Sequence, residues 1–532
     1  MLGAVDLAGV VAILQVGRSA PGQHSPGVDR LVGNHAQHVA LADLAYDSRA
    51  VKPGSLFFCI RGAHDDGHRH AAAAVEAGAV ALVCEQELEP KVPQVVVGDA
   101  RAAMNTIAAA FFGHPSRELT LVGVTGTNGK TTTAYMLEAI FRALGSPTGL
   151  IGTVETRISS PMGPMGDETT PGVRTTPESV DLQRLLRRMV DRGVTACAME
   201  VTSIGIVQGR VEGTAFGASV FTNLTQDHLD FHGTMEEYYR AKRRLFEPDV
   251  TRLGLVNADD PWGRRLAAEG GPPMAPMATF GVRCHADLVA TGVRSSATGS
   301  GFRIVGVAGV AGVAGPWGRQ GSVGRRMDLA VEIRLPGGFN VSNALAAAGA
   351  AGAVGVADEA IAEGLASLSG VPGRFEIVEG APGFVVVVDY AHTPDGLARV
   401  LDAARGIATG RLLAVFGCGG DRDRAKRPLM GRVAAERADV VYVTSDNPRS
   451  EDPSRIVAEI LPGVEAAPPP GGVRVVVDRA EAIRRSIEEA RPGDVVVIAG
   501  KGHERGQDVG GVVTPFDDRL VAAGALRSLA SP

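Results

Sequence analysis

LTLVGVTGTNGKTTTAYMLEAIFRAL, residues 119–144, is the most informative stretch of the chain. LTLVGV is a short apolar strand, TGTNGKTTT a glycine-rich turn, and AYMLEAIFRAL carries a helical pattern. Strand, turn and helix in this order open a nucleotide-binding α/β domain. Glycines let a backbone approach phosphate oxygens, and a helix N-terminus offers unpaired N–H groups and partial positive charge. Gly126, Thr127, Asn128, Gly129, Lys130, Thr131 and Thr132 are therefore expected to hold ATP. Lys130 should reach the β- and γ-phosphates, and the Thr131 hydroxyl should bind Mg²⁺. The strict G-x-x-x-x-G-K-[ST] pattern needs glycine at 124, where this chain has Val124, so the loop is a shorter G-T-x-G-K-T variant.

Working outward, 532 residues suggest about three domains at roughly 100–200 residues each. Residues 1–117 form a first α/β unit, with apolar runs at 56–60, 79–84 and 94–98. Residues 118–370 form a central ATP-binding domain, with further buried strands at 196–201 and 218–222. Residues 371–532 form a third α/β stretch, in which FVVVVDY, RLLAVFG, DVVYVTS and DVVVIAG read as strands of a parallel sheet. Ligands collect at the carboxyl ends of such strands, which points to His392, 421–424, 446–449 and 500–504. Residues 296–326, with VGVAGVAGVAGPWG, read as a low-complexity insertion or mobile loop.

Hydrophobic residues make up 45% and charged residues 21%, as in ordinary globular proteins, and the net charge is −6. No Lys/Arg-rich run dominates a segment, so a nucleic-acid partner is not expected. The five cysteines are scattered and form no C-x-x-C pair, which argues against a disulfide framework and fits a reducing cytosol. The first 17 residues are apolar but contain Asp6 and lack a basic stretch, so no signal peptide is read there. No run is long enough to span a membrane, and the expected location is cytoplasmic.

The turn TGTNGKTTT resembles the ATP loop of the Mur ligases and of their folylpolyglutamate synthetase relatives. The resemblance extends over nearly the whole chain outside residues 300–326. It implies an α/β, three-domain Mur ligase architecture: a central P-loop ATPase-like parallel sheet and a Rossmann-like C-terminal domain. It also implies an ATP-dependent ligase that forms an acyl phosphate on a carboxylate, which an amine then attacks. In AMEVTS, Glu200 ends a strand, where a carboxylate suits Mg²⁺. FTNLTQDHLD resembles the family's N-L-x-x-D-H-L-D segment and gives His228 the place of a metal-approaching histidine. Lys242, read alone, is a solvated helix lysine among Arg240, Arg243 and Arg244. The resemblance makes it an N6-carboxylysine and an anionic Mg²⁺ ligand, which requires a lowered pKa. Thr131, Glu200, His228 and Lys242 are thus the implied metal set, and Lys130, Glu200, His228 and Lys242 the implied catalytic set. Asn343 in the stretch 338–346, Arg374 in PGRFE and Asp389 in VDYAH match family positions near the nucleotide.

Tyr46 and Ser48 in YDSRAVKPG, with Ala63, His64 and Asp65, match positions that bind a uridine diphosphate sugar. Thr175 and Thr176 in RTTP, Thr202, Gln208 and Arg210 match residues that hold the growing peptide, and an arginine suits a D-glutamate carboxylate. The resemblance therefore implies UDP-N-acetylmuramoyl-L-alanyl-D-glutamate (UDP-MurNAc-L-Ala-D-Glu) as substrate, in peptidoglycan assembly. Asp446, Asn447, Pro448 and Arg449 form a D-N-P-R motif that marks members adding meso-diaminopimelate. That amine carries a second ammonium–carboxylate head. Arg449 can fork onto its carboxylate, with Arg422 as a further contact, while Glu504, beside Gly500, takes the ammonium. A monomer without membrane attachment is expected. A sister ligase adding L-lysine or another acceptor, a folylpolyglutamate synthase-like ligase, and a P-loop kinase without ligation are the alternatives. One departure stands out: the family usually reads E-x-S-S-H, and here Ile204 replaces the histidine.

Overall fold

The structure, a computed structural model, describes residues 6–16, 27–33, 39–62, 65–159, 166–296, 298–309 and 325–530. The chain divides into two compact units. The first comprises residues 1–123, 146–217 and 244–252, and the second 124–145, 218–243 and 253–532.

In the first unit, strands Val28–Val32, Gln94–Val97, Ala79–Cys84, Ser55–Phe58 and Asp43–Ala45 lie side by side in that order. Only the Val28–Val32 pairing is antiparallel. Leu56, Phe58, Val83 and Val95 on one face pack against Met104 and Ile107 of the helix Ala100–Phe111. Asp99 caps that helix by accepting from the Ala102 N–H at 2.9 Å. The opposite face buries Phe57, Cys59, Leu82 and Cys84. The β-branched and aromatic runs seen in sequence thus alternate between two cores, as period-two strands must. A second layer of the unit pairs Ala196–Glu200 parallel to Thr148–Ile151, followed by the antiparallel strands Glu155–Ser159 and Glu168–Pro171.

The strand Thr120–Thr125 carries the chain into the second unit and ends at the glycine-rich turn. The helix after it starts at Lys130, so Thr131 and Thr132 lie in its first turn. Parallel strands Ala218–Phe221, Gly254–Asn257 and Met277–Gly281 follow, and then Leu288–Ser296, Gly299–Ala308 and Arg325–Ile333 form an antiparallel meander. This corrects the mobile-loop reading of part of 296–326: residues 299–308 and 325–326 are paired strand. FRIV alternates Phe302 and Ile304 inward with Arg303 outward, a period-two signal that the neighbouring glycines and alanines masked. Residues 297 and 310–324 lie outside the described residues. The central sheet is consequently mixed rather than parallel throughout.

A third sheet runs Glu376–Val378, Val385–Asp389, Val495–Ala499, Leu412–Phe416, Val440–Val443, Val473–Val475, parallel except for its first strand, and Gly506–Val509 pairs with Val512–Pro515 in a separate hairpin. Valines such as Val387, Val441 and Val497 face one core and Val386, Val440 and Val496 the other. Burial on both faces explains the continuous apolar runs. The four strands read from sequence in this region are all present. Among the described residues, no helix is long and apolar enough to cross a membrane.

Candidate active site

The turn after Thr125 is shaped by two glycines. Gly126 has φ +145° and Gly129 φ +87°, conformations that side chains disfavour. A Cβ on Gly129 would lie 2.5 Å from Asn343 Oδ1, and one on Gly126 would strike Thr222 Oγ1. Asn343 is thus packed against the loop, held by its Nδ2 donating to Asn340 Oδ1 at 3.1 Å. Asn223 braces the loop from the other side: its Oδ1 accepts from Asn128 N at 2.9 Å and its Nδ2 donates to Asn128 O at 3.1 Å. Lys130 Nζ folds back onto the carbonyls of Gly126 (3.0 Å) and Thr127 (2.8 Å). The helix presents Thr131 Oγ1 to Arg374, whose Nη2 donates at 2.9 Å. Arg374 also lies 4.4 Å over the Tyr390 ring. Asp389, at the end of its strand, accepts from Phe375 N and Ala391 N, both at 2.7 Å. Burial raises its carboxyl above the usual range, against Arg374 and these two N–H groups.

Lys242 lies 1% exposed on the helix Met235–Arg243, and its Nζ donates to Gly126 O at 2.9 Å. This nitrogen sits 4.7 Å over the Tyr238 ring. Burial, reinforced by Lys130, pushes this amine well below its ordinary range. The sequence placed Lys242 among three arginines; the structure rejects the solvated reading. His228, in a left-handed conformation (φ +53°), is held down to about 4, first by burial and then by Lys130, and so presents a neutral imidazole. Asp227, which sequence reasoning passed over, lies between His228 (3.4 Å) and His392 (3.9 Å). Burial alone would raise the Asp227 carboxyl, but His392, His228, Lys426 and Lys130 hold it below its usual value. Its acidic neighbourhood in D-H-L-D was the available signal. No three His, Cys, Asp or Glu side chains among the described residues gather into a metal cage. The Thr131 hydroxyl nevertheless offers the kind of oxygen donor that Mg²⁺ prefers, and the lowered pKa of the Lys242 amine meets the requirement for carbamylation.

At the carboxyl ends of the third sheet, a second cluster forms. Asp446 is 8% exposed; its Oδ1 accepts from Asn447 N at 2.7 Å, and its buried Oδ2 has no partner. Gly500 (φ +119°) lets this oxygen approach, since a Cβ there would stand 2.5 Å from it. Asn447 Nδ2 donates to Glu504 Oε2 at 2.8 Å. Arg449, left-handed at φ +51°, donates from Nη1 to Gly420 O at 2.6 Å, and Gly420 N donates to Asn447 O at 2.9 Å. Pro448 closes this turn, its carbonyl packed against Gly420. Arg422 is exposed and shares the neighbourhood of Gly419 with Arg449: a Cβ on Gly419 would lie 2.9 Å from Arg449 Nη1 and 3.8 Å from Arg422 Cγ. Cationic and acidic groups are therefore arrayed around one turn. Sequence reasoning missed Lys501, Arg479 and Arg427, which support it. Nothing in sequence distinguishes such buried cations from surface ones.

The first unit carries its own cluster. Glu200 ends the strand Ala196–Glu200, accepting from Thr153 N at 2.8 Å and Thr153 Oγ1 at 3.1 Å. Thr175 Oγ1 lies 2.9 Å from Thr153 Oγ1. Thr176 Oγ1 and Thr202 Oγ1 meet at 3.1 Å, and Thr202 caps the short helix Ser203–Val207. Ile204 is half-buried on that helix. Arg210 donates to Thr176 O at 2.9 Å and pairs with Glu178 at 2.8 Å. The Gln208 carbonyl accepts from Asn105 at 3.0 Å, while its buried Oε1 has no partner. Tyr46 donates to Asp181, and Ser48 sits in the turn capped by Asp47. Asp65 pairs with His70 at 2.7 Å; Ala63 and His64 lie outside the described residues.

Compared with known proteins, residues 42–112 match the catalytic domain of the Mur ligase family, 124–351 the Mur ligase middle domain, and 373–502 the Mur ligase glutamate ligase domain. The chain is 46% identical, over 93% of its length and 96% of the relative's, to the UDP-N-acetylmuramoyl-L-alanyl-D-glutamate–2,6-diaminopimelate ligase of Geobacillus kaustophilus (strain HTA426). It is 45% identical to the ligase of that name from Streptomyces avermitilis, covering 91% of this chain and 92% of the relative. A solved structure of a ligase of that name is 31% identical, with TM-score 0.63, covering 99% of this chain and all of the other. A crystal structure of MurF from Acinetobacter baumannii, at 18% identity, TM-score 0.67 and coverage of 98% and 99%, shares the fold.

Proposed function

The chain belongs to the Mur ligase family, and from that premise we propose that it joins meso-2,6-diaminopimelate to the D-glutamate carboxylate of UDP-N-acetylmuramoyl-L-alanyl-D-glutamate. It is an ATP-dependent ligase. The product is a peptidoglycan precursor, and the reaction is assigned to the cytoplasm, with the enzyme acting as a monomer. The observation that carries the acceptor reading is the turn around Asn447, where Arg449 and Glu504 are tied into one hydrogen-bonded network. Lysine has no distal carboxylate for a guanidinium fork, whereas diaminopimelate has both a carboxylate and an ammonium there. Asp446 Oδ2, buried without a partner, supports an ammonium-bearing ligand, since such an oxygen is costly to leave unpaired.

A carboxylate is a poor electrophile until phosphorylated. The loop of Gly126–Thr132 is assigned to the phosphates of ATP, and Asn343, Arg374 and Asp389 to the rest of the nucleotide. Lys130 leaves its loop carbonyls to neutralise charge developing on the transferred phosphoryl group. Thr131, Glu200, His228 and Lys242, the last as its carbamate, are assigned to Mg²⁺. When bound, the metal offsets phosphate charge. Tyr46, Ser48, Ala63, His64 and Asp65 are assigned to the uridine diphosphate sugar. Thr175, Thr176, Thr202, Gln208 and Arg210 are assigned to the dipeptide, with Gln208 Oε1 an unused acceptor for it. Arg422, Arg449, Asp446, Asn447, Pro448, Gly500 and Glu504 are assigned to the incoming amine.

The test is ligation with purified protein, ATP, Mg²⁺ and the dipeptide nucleotide, offering lysine and meso-diaminopimelate in separate reactions. Product is expected with diaminopimelate, with lysine used at least about 100-fold less efficiently, the scale of one lost charged contact. Equal use of both amines would sink the acceptor assignment.

A further inference from the structure

The side chain of Lys501 has no exposed surface, yet none of the assignments above uses it. A buried ammonium is costly unless its charge and protons are matched. Its Nζ donates to Glu504 Oε2 at 2.7 Å and to Asn447 Oδ1 at 2.9 Å. Asn447 closes the triangle by donating from Nδ2 to the same Glu504 oxygen at 2.8 Å, and its Oδ1 also accepts from Asp508 N at 3.1 Å. The backbone reinforces the pair, with Glu504 N donating to Lys501 O at 3.0 Å. Glu504 Oε2 is thus committed inward. Its Oε1 accepts nothing from the described residues, and the side chain remains 31% exposed.

We infer that Lys501 is a positioning residue for acceptor selection: by holding Glu504 Oε2 together with Asn447, it turns Oε1 toward the ammonium of the acceptor's distal head. This rests on the reading of Glu504 as that ammonium's partner. A glutamate has three rotatable torsions, and an unrestrained one must be ordered when ligand binds. Lys501 orders it beforehand, so binding need not. Its side chain is fully buried behind the carboxylate, so Lys501 acts through Glu504 rather than on the substrate.

Steady-state kinetics of ADP release on the full-length protein test this, with diaminopimelate, ATP and the dipeptide nucleotide varied in turn. Lys501→Met is expected to raise KM for diaminopimelate about 10–100-fold, the scale of losing a supporting contact. KM for ATP and for the dipeptide nucleotide should stay within about threefold, and kcat should fall less than the acceptor KM rises. Lys501→Gln, which keeps a donor, should give an intermediate acceptor KM and stands in if the methionine variant does not fold. In a Glu504→Gln background, Lys501→Met should add no further increase. Multiplying effects in the double variant, parallel increases in the ATP KM, or an unchanged acceptor KM would each overturn the inference while leaving the acceptor reading intact. A wild-type protein that releases no ADP in response to diaminopimelate would overturn both.

Discussion

At Lys242 the flanking Arg240, Arg243 and Arg244 suggest a solvated cationic face, yet the amine lies buried over the Tyr238 ring and against the carbonyl of Gly126. Helical spacing explains the difference. Tyr238, Tyr239, Ala241 and Lys242 point inward while Arg240 is exposed, so one helix carries both faces. Burial favours the neutral amine, the form that reacts with CO₂, and the resulting carbamate would carry negative charge where Lys130 lies nearby. Lys242→Ala is expected to lower the ligation rate on the order of 100-fold or more, as loss of a charge-stabilising group does. Short carboxylic acids should restore part of it by standing in for the carbamate. Product formation with and without added acid measures both effects, and an alanine variant of unchanged rate would remove the modification from the account.

Within the helix Lys426–Arg437, one buried residue fixes the turns beside the cluster of Asp446, Asn447 and Arg449. Arg427 is 0% exposed and donates to Glu451 Oε1 and to Glu459 Oε2, both at 2.7 Å, and to Gly419 O at 3.2 Å. Glu451 in turn accepts from Asp421 N at 2.7 Å. Hydrogen bonding from Arg427 pulls the Glu451 carboxyl from its ordinary 4.5 down to about 2. Because the folded value is the lower one, this pair stabilises the fold above about pH 4.5 and loses that contribution as pH falls toward 2. Glu451→Gln should therefore flatten the acid side of the stability curve. Denaturant unfolding of wild type and variant at pH 3, 4, 5 and 7 measures it, and a difference between the two proteins that does not shrink toward pH 3 would refute the linkage. The inward arginine was not readable from its sequence context, AKRPLMGR, which is that of an exposed helix start.

The molecule has the three-domain α/β architecture of the Mur ligases with mixed sheets, and its last helix is tied to the third sheet by an ion pair without exposed surface. Arg479 donates to Asp518 at 2.8 and 2.7 Å and also to Ser445 O (3.3 Å), just past the strand Val440–Val443, and to Ala499 O (3.0 Å), at the end of Val495–Ala499. Removing one partner leaves the other charge buried and uncompensated. Asp518→Ala is expected to destabilise the protein by about 3–5 kcal/mol, the range for breaking such pairs. Chemical denaturation checks this; a loss below about 1 kcal/mol would show that water or another group replaces the carboxylate.

Local elements and the available chemistry were legible in the residues themselves. Apolar runs at 120–125, 385–389, 412–416, 440–443 and 495–499 are strands because β-branched residues buried on both faces leave no polar alternation. The glycines of TGTNGK give the loop its shape because left-handed backbone and a close approach of Asn343 exclude side chains there. Sequence was weakest at residues 299–308, where glycine and alanine blurred a paired strand. Which charges are buried, and whom they meet, was set by long-range packing. Lys242 lies 116 positions from Gly126, Asn447 57 from Glu504, and Arg479 39 from Asp518. Burial and partnership over such separations depend on packing, and it is packing that turns a lysine, an arginine or a carboxylate from a solvated group into a positioned one.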